Sequence, residues 1–165
     1  MGTWTDATNA PGRTRYASTQ LPIQYGSRAW TGISQIDDTT KKLAEILNKI
    51  INDVGMTHLA PALYGSMIHK RFELAVIAAG IRGISAADVE RTFLLPPDYT
   101  RSVRPDVVLR NDIGDIIAIY DVKTLDAELW PSRVKRFRAA TKVDASVYVI
   151  ELHVERGATL KIRQS

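Results

Sequence analysis

The chain has 165 residues, with 22 Lys and Arg against 18 Asp and Glu, giving a net charge of +4 and a pI near 9.4. That length makes one domain the default, and a sequence 45% hydrophobic and 24% charged excludes wholesale disorder. The absence of Cys excludes disulfide scaffolds, thiolate zinc sites and Cys nucleophiles; no apolar run approaches the roughly 20 residues of a membrane span, and mild basicity admits a nucleic-acid partner without requiring one.

Residues 1–36 are rich in Thr, Ser, Gly and Pro, and Pro11-Gly12, Pro22, Gly26 and Gly32 interrupt them. They read as a leader or linker, partly ordered because Trp4, Tyr16, Tyr25 and Trp30 are more aromatics than a free linker needs. Met1–Asp6 carries neither an apolar signal core nor a myristoylation pattern. Residues 37–165 read as the domain proper. Leu43, Ile46, Leu47, Ile50, Ile51 and Val54 recur at helical spacing, with Asp37 or Asp38 to cap the helix and Gly55 to close it. A second helix is predicted from Ser66, as N-cap, to Ala79, followed by Gly80. Its stripe is Ile68, Phe72, Ala75, Val76 and Ala79; His69 and Glu73 fall together on the stripe's edge.

Three strands follow over residues 88–95, 106–110 and 116–123, with a loop from Pro96 to Pro105 and a turn at 111–115. A helix over 132–142 starts near Pro131. A fourth strand covers 145–152, and 158–163 returns as a short edge strand. The order helix, three strands, helix, strand, behind an extra N-terminal helix, predicts an α/β fold with a mixed sheet flanked by helices.

The turn at 111–115 makes the second and third strands a hairpin. If Arg110 faces Ile117, antiparallel pairing places Asp106 opposite Asp121, with the two β-carbons about 5 Å apart. Alternation puts Lys123 on the same side of the sheet as Asp121. Two facing carboxylates share a proton, pair with cations or hold a metal, and oxygen ligands suit Mg²⁺ or Mn²⁺. The backbone carbonyl of Val122 is within reach as a further ligand. Lys123 can orient or deprotonate an attacking water. A one-residue slip in register would send these groups to opposite faces.

Arg104-Pro105-Asp106, a hairpin and Asp121-Val122-Lys123 resemble the PD-(D/E)xK nuclease superfamily. Tyr64-Gly65-Ser66-Met67-Ile68-His69 leading into Phe72-Glu73, and Tyr120-Asp121-Val122-Lys123-Thr124, resemble the restriction-endonuclease-like toxin domains of bacterial polymorphic toxins. The resemblance covers residues 64–152 and implies a restriction-endonuclease-like core. It implies that Asp106 and Asp121 are metal ligands, that Lys123 is the catalytic lysine and that Glu73 completes the metal site. Glu90 and His69 are accessory candidates.

Arg133, Lys135, Arg136, Arg138 and Lys142 crowd the helix after the motif, and Arg101 and Arg104 precede Asp106. Arg104, Arg133, Arg136 and Arg138 are the candidate phosphate contacts. The leading expectation is therefore a Mg²⁺- or Mn²⁺-dependent endonuclease acting on DNA, with tRNA as the second substrate choice. The resemblance further implies a toxin domain attached to a larger delivery protein, active in the cytoplasm of a target cell and matched by a cognate immunity protein, without membrane insertion of this segment. A housekeeping nuclease and a non-catalytic nucleic-acid-binding module on a nuclease fold are the alternatives.

Overall fold

In the computed structural model, residues 23–55, 58–155 and 159–165 are described. The expected leader over residues 1–22 and the expected start of the edge strand at Ala158 lie outside them. Within residues 23–36, Ile23–Tyr25 forms strand β1 and Ser34 opens helix α1. Helix α1 (Ser34–Val54) buries Ile36, Leu43, Leu47, Ile50 and Ile51, the face its periodicity predicts. It starts before the predicted cap because Asp37, in the first turn, reaches back to accept from the N–H groups of Thr31 and Gly32, both at 2.9 Å. Gly55 ends it as expected, donating its N–H to Ile51.

Helix α2 (Pro61–Ala79) begins five residues before the predicted Ser66, because Pro61 occupies the helix start and Ala60 the cap. Ser66 lies inside the helix and exposed. Ile68, Phe72 and Val76 form the buried stripe, and Gly80 closes the helix in the left-handed region.

The predicted first strand over 88–95 is the main departure. Ala86–Asp88 is a 3₁₀ turn, Val89 makes a single bridge to Val107, and Glu90 adopts a positive φ of 56°. Only Phe93–Leu95 is a strand (β2), pairing with β3 (Arg101–Val103), inside the stretch predicted as loop, in a separate two-stranded antiparallel sheet. The kink at Glu90 explains the break, since a residue in the left-handed region cannot continue a strand.

The hairpin forms from β4 (Val107–Arg110) and β5 (Ile116–Thr124). Val107 pairs with Tyr120, Val108 with Ile119 and Leu109 with Ala118, the predicted register; Arg110 then pairs with Ile116, not Ile117, across a bulge. Asp106 stands one residue before the ladder. Helix α3 (Pro131–Thr141) crosses to β6 (Tyr148–Val154), which runs parallel to β5, and β7 (Leu160–Gln164) returns antiparallel. The main sheet has the order β1-β7-β6-β5-β4, with β1 parallel to β7.

Alternation along β5 separates two cores. Ala118, Tyr120 and Val122 face one cluster with the apolar sides of α1 and α2. Ile119 faces the other, with Val134 and Phe137 of α3 and with Leu95 and Val103 of the small sheet. The molecule is thus a mixed α/β fold: a five-stranded mixed sheet between helices, plus a small antiparallel sheet. No helix among the described residues is long and apolar enough to cross a membrane.

Candidate metal centre

Helix α2 approaches the end of β5 closely. A β-carbon on Gly65 would sit 2.8 Å from Thr124 Oγ1, so a larger residue would push the helix away. One turn later, this approach brings His69 to the start of β4. There it meets Asp106, with 2.6 Å between His69 Nδ1 and Asp106 Oδ1. The other Asp106 oxygen accepts the Val122 N–H at 2.6 Å. Val122, expected to offer its carbonyl as a ligand, thus meets the site through its N–H.

The kink after the 3₁₀ turn brings in Glu90. Its N–H donates to the Asp106 carbonyl at 2.9 Å, and its carboxylate stands 4.0 Å from His69 Nδ1 and 3.2 Å from Arg104 Nε. Holding a non-glycine residue at that φ costs about 1–3 kcal/mol, which the surroundings must offset. His69, Glu90 and Asp106 each place one ligand atom within 4.8 Å of the others.

Asp121 joins from β5. Lys123 Nζ is 2.7 Å from its Oδ2 and Arg133 Nε is 3.5 Å away. Both contacts lie off the hydrogen-bonding direction: buried Asp121 Oδ2 and Arg133 Nε carry no hydrogen bond. Buried polar atoms normally have hydrogen-bond partners; these two are held by charge alone.

These residues line one open cleft of about 750 Å³, together with Ser66, Lys70, Glu73 and Val89. Its electrostatics are crowded. Burial first, then the Asp106 carboxyl, pushes Glu90 up to about 8, against the opposing pull of Arg104 and His69. Burial raises Asp106 to about 7, with Asp121 adding to the rise and the hydrogen bonds from Glu90 and the Val122 N–H opposing it. Burial also lowers His69, outweighing the attraction of Glu90 and Asp121. The cluster therefore retains protons near neutrality that a divalent cation would displace. Its donor set of carboxylate oxygens and one imidazole nitrogen suits Mn²⁺ at least as well as Mg²⁺.

Asp106, Asp121, Lys123, Glu73, His69, Glu90, Arg104 and Arg133 all line this cleft. Their arrangement differs from the predicted one. Glu73 sits at the rim, its carboxylate 3.1 Å from Lys70 Nζ, while Glu90 and His69 make the close approach to Asp106. The sequence offers a clue for Glu73, since Lys70 lies three residues earlier on the same helix face. It offers none for Glu90, whose position depends on the kink. Of the basic residues on α3, Arg138 donates twice to the Val147 carbonyl, at 2.7 and 3.2 Å, and is not among the cleft residues. Arg136 and Lys135 are exposed, as is Arg101 on β3. Lys142 lies over the Tyr99 ring.

Compared with protein-family models, curated proteins and solved structures, the chain matches none. The structure itself gives a mixed α/β fold whose His/Glu/Asp cluster, half-buried at His69 and Glu90 and buried at Asp106, is geometrically compatible with a divalent cation.

Proposed function

We propose that the protein is a metal-dependent endonuclease with a restriction-endonuclease-like core, hydrolysing phosphodiester bonds of nucleic acid. The observation that carries this reading is the convergence of His69, Glu90, Asp106 and Asp121 with Lys123 in one cleft at the edge of the sheet. Mg²⁺ or Mn²⁺ held by Asp106, Glu90, His69 and Asp121 would supply Lewis-acid polarisation of a phosphate oxygen. The chain's own residues do the rest. Asp106 is fixed by the Val122 N–H and His69. Lys123, only 15% exposed, holds its ammonium beside Asp121, where it orients an attacking water or protonates a departing oxygen. Arg104 and Arg133, both on the cleft lining, can receive phosphate oxygens.

The toxin reading rests on the segments 64–73 and 120–124 and belongs to the same proposal. A larger delivery protein carries the domain, it acts in the target-cell cytoplasm, and a cognate immunity protein blocks it. DNA is the first substrate and tRNA the second. Plasmid and total RNA incubated with EDTA, Mg²⁺ or Mn²⁺ test the reading. The expected result is cleavage only with metal, reduced at least about 10³-fold in Asp121→Ala. Unchanged cleavage by that variant would contradict the proposal. Tolerance of cytoplasmic expression by the host would point instead to a housekeeping nuclease.

A further inference from the structure

Arg133 lines the cleft without a hydrogen bond. Its Nε is buried and unbonded, and its guanidinium lies over the Phe137 ring, 4.7 Å from the centroid. The Nε faces Asp121 Oδ2 at 3.5 Å, so a guanidinium seated over an aromatic ring keeps its terminal N–H groups as a fork for an oxyanion. One turn earlier on α3 stands Trp130, with 63% of its surface exposed. Its carbonyl accepts the N–H groups of Arg133 and Val134, at 2.9 and 3.1 Å, which fixes the base of the indole at the helix start. On the other side, the Leu129 N–H donates to buried Glu151, the register partner of Asp121 across β5 and β6. Trp130 is therefore held between two residues tied to the surroundings of Asp121.

The other exposed aromatics are occupied. Trp30 stacks on Tyr25 at 4.6 Å with Lys41 over it, and Tyr99 carries Lys142. No ring or cation covers Trp130 among the described residues.

We infer that Trp130 and Arg133 form a nucleotide subsite beside the metal centre: the guanidinium takes a phosphate next to the scissile one, and the indole stacks on its base. This rests on the nuclease reading and deepens it to a substrate class. A base inside a duplex is stacked on both faces, so only an unpaired nucleotide presents a free face to an indole. The substrate is a single strand, a loop or a frayed end.

The test is binding of fluorescein-labelled ten-nucleotide single-stranded DNA, RNA of the same sequence and a loop-free blunt DNA duplex with G·C ends, read by anisotropy in EDTA so that cleavage does not interfere. The DNA and RNA arms separate the two sources of unpaired nucleotides. The expected results are tighter binding of the single strands than of the duplex, and an about tenfold loss for the single strands in Trp130→Ala. Trp130→Phe should restore most of that loss, with the duplex unaffected by either variant. Arg133→Ala should weaken the single strands and reduce the salt slope by about one. Unchanged single-strand binding in Trp130→Ala, an equal loss for the duplex, or preferred binding of the duplex by the parent protein would overturn the subsite. Absence of cleavage by the parent in Mn²⁺ would refute the nuclease reading alone, because the binding comparison still judges the subsite.

Discussion

Two buried aspartates flank strand β4 and behave in opposite ways. Asp88 and Asp106 are both 3% exposed. Asp88, in the 3₁₀ turn, accepts from Arg110 Nε at 2.7 Å and from Arg91 at 3.1 Å. Burial pushes its carboxyl up, but the hydrogen bonds from Arg110 and Arg91 win and hold it low. Asp106, at the other end of β4, has a histidine and one backbone N–H for partners and two further carboxylates as neighbours. The nearby cations are committed elsewhere, Arg104 to Glu90, and Lys123 and Arg133 to Asp121. Equal burial thus yields a closed structural ion pair in one place and, in the other, a carboxylate with no Lys or Arg partner of its own. That missing partner at Asp106, rather than acidity alone, marks it as a cation site.

The sharpest way to break this comparison is to make the same substitution at both positions. Asp88→Asn leaves Arg110 partly buried without its counter-charge and should cost about 2–4 kcal/mol. Asp106→Asn relieves carboxylate crowding while its amide oxygen still accepts the Val122 N–H, and should raise metal-free stability by about 1 kcal/mol. Urea denaturation at pH 8 in EDTA checks both. A loss at Asp106 as large as that at Asp88 would make the two sites alike.

A smaller effect separates them by pH. Glu90 at about 8 and Asp106 at about 7 are raised above their ordinary values, so the folded state binds more protons than the unfolded chain between about pH 4 and 8. Their contribution is full below that window and is lost as pH rises through 7–8. Asp88 is depressed, so its contribution is present above about pH 4 and is lost as pH falls below it. In EDTA, Tm should decline from pH 5 to pH 9, and Asp106→Asn should flatten the decline. A flat or rising profile for the parent protein would contradict raised proton affinity at Glu90 and Asp106.

Much of this arrangement is legible in the sequence because it depends on short-range rules. A turn at 111–115 and the alternation of a strand suffice to bring Asp106, Asp121 and Lys123 to one end of the hairpin, and the pairs from Val107 to Leu109 follow the predicted register. Helical periodicity places His69 and Glu73 on the cleft side of α2. The choice among the acids was not legible. Glu73 finds Lys70 on its own helix. Glu90 enters through a left-handed kink in a segment whose residues read as strand, and no local propensity announces that kink. The strand β1 was hidden for a related reason: Ile23–Tyr25 is only three residues long, and its partner, β7, lies at the other end of the chain.

Calorimetric titration of Mn²⁺ at pH 7, in two buffers of different ionisation enthalpy, tests most directly whether the Asp106 cluster holds a divalent cation. The account predicts saturable binding with net proton release, tighter for Mn²⁺ than for Mg²⁺ because of the His69 nitrogen, and lost in Asp106→Asn. No saturable binding, or parent-like affinity in Asp106→Asn, would contradict it.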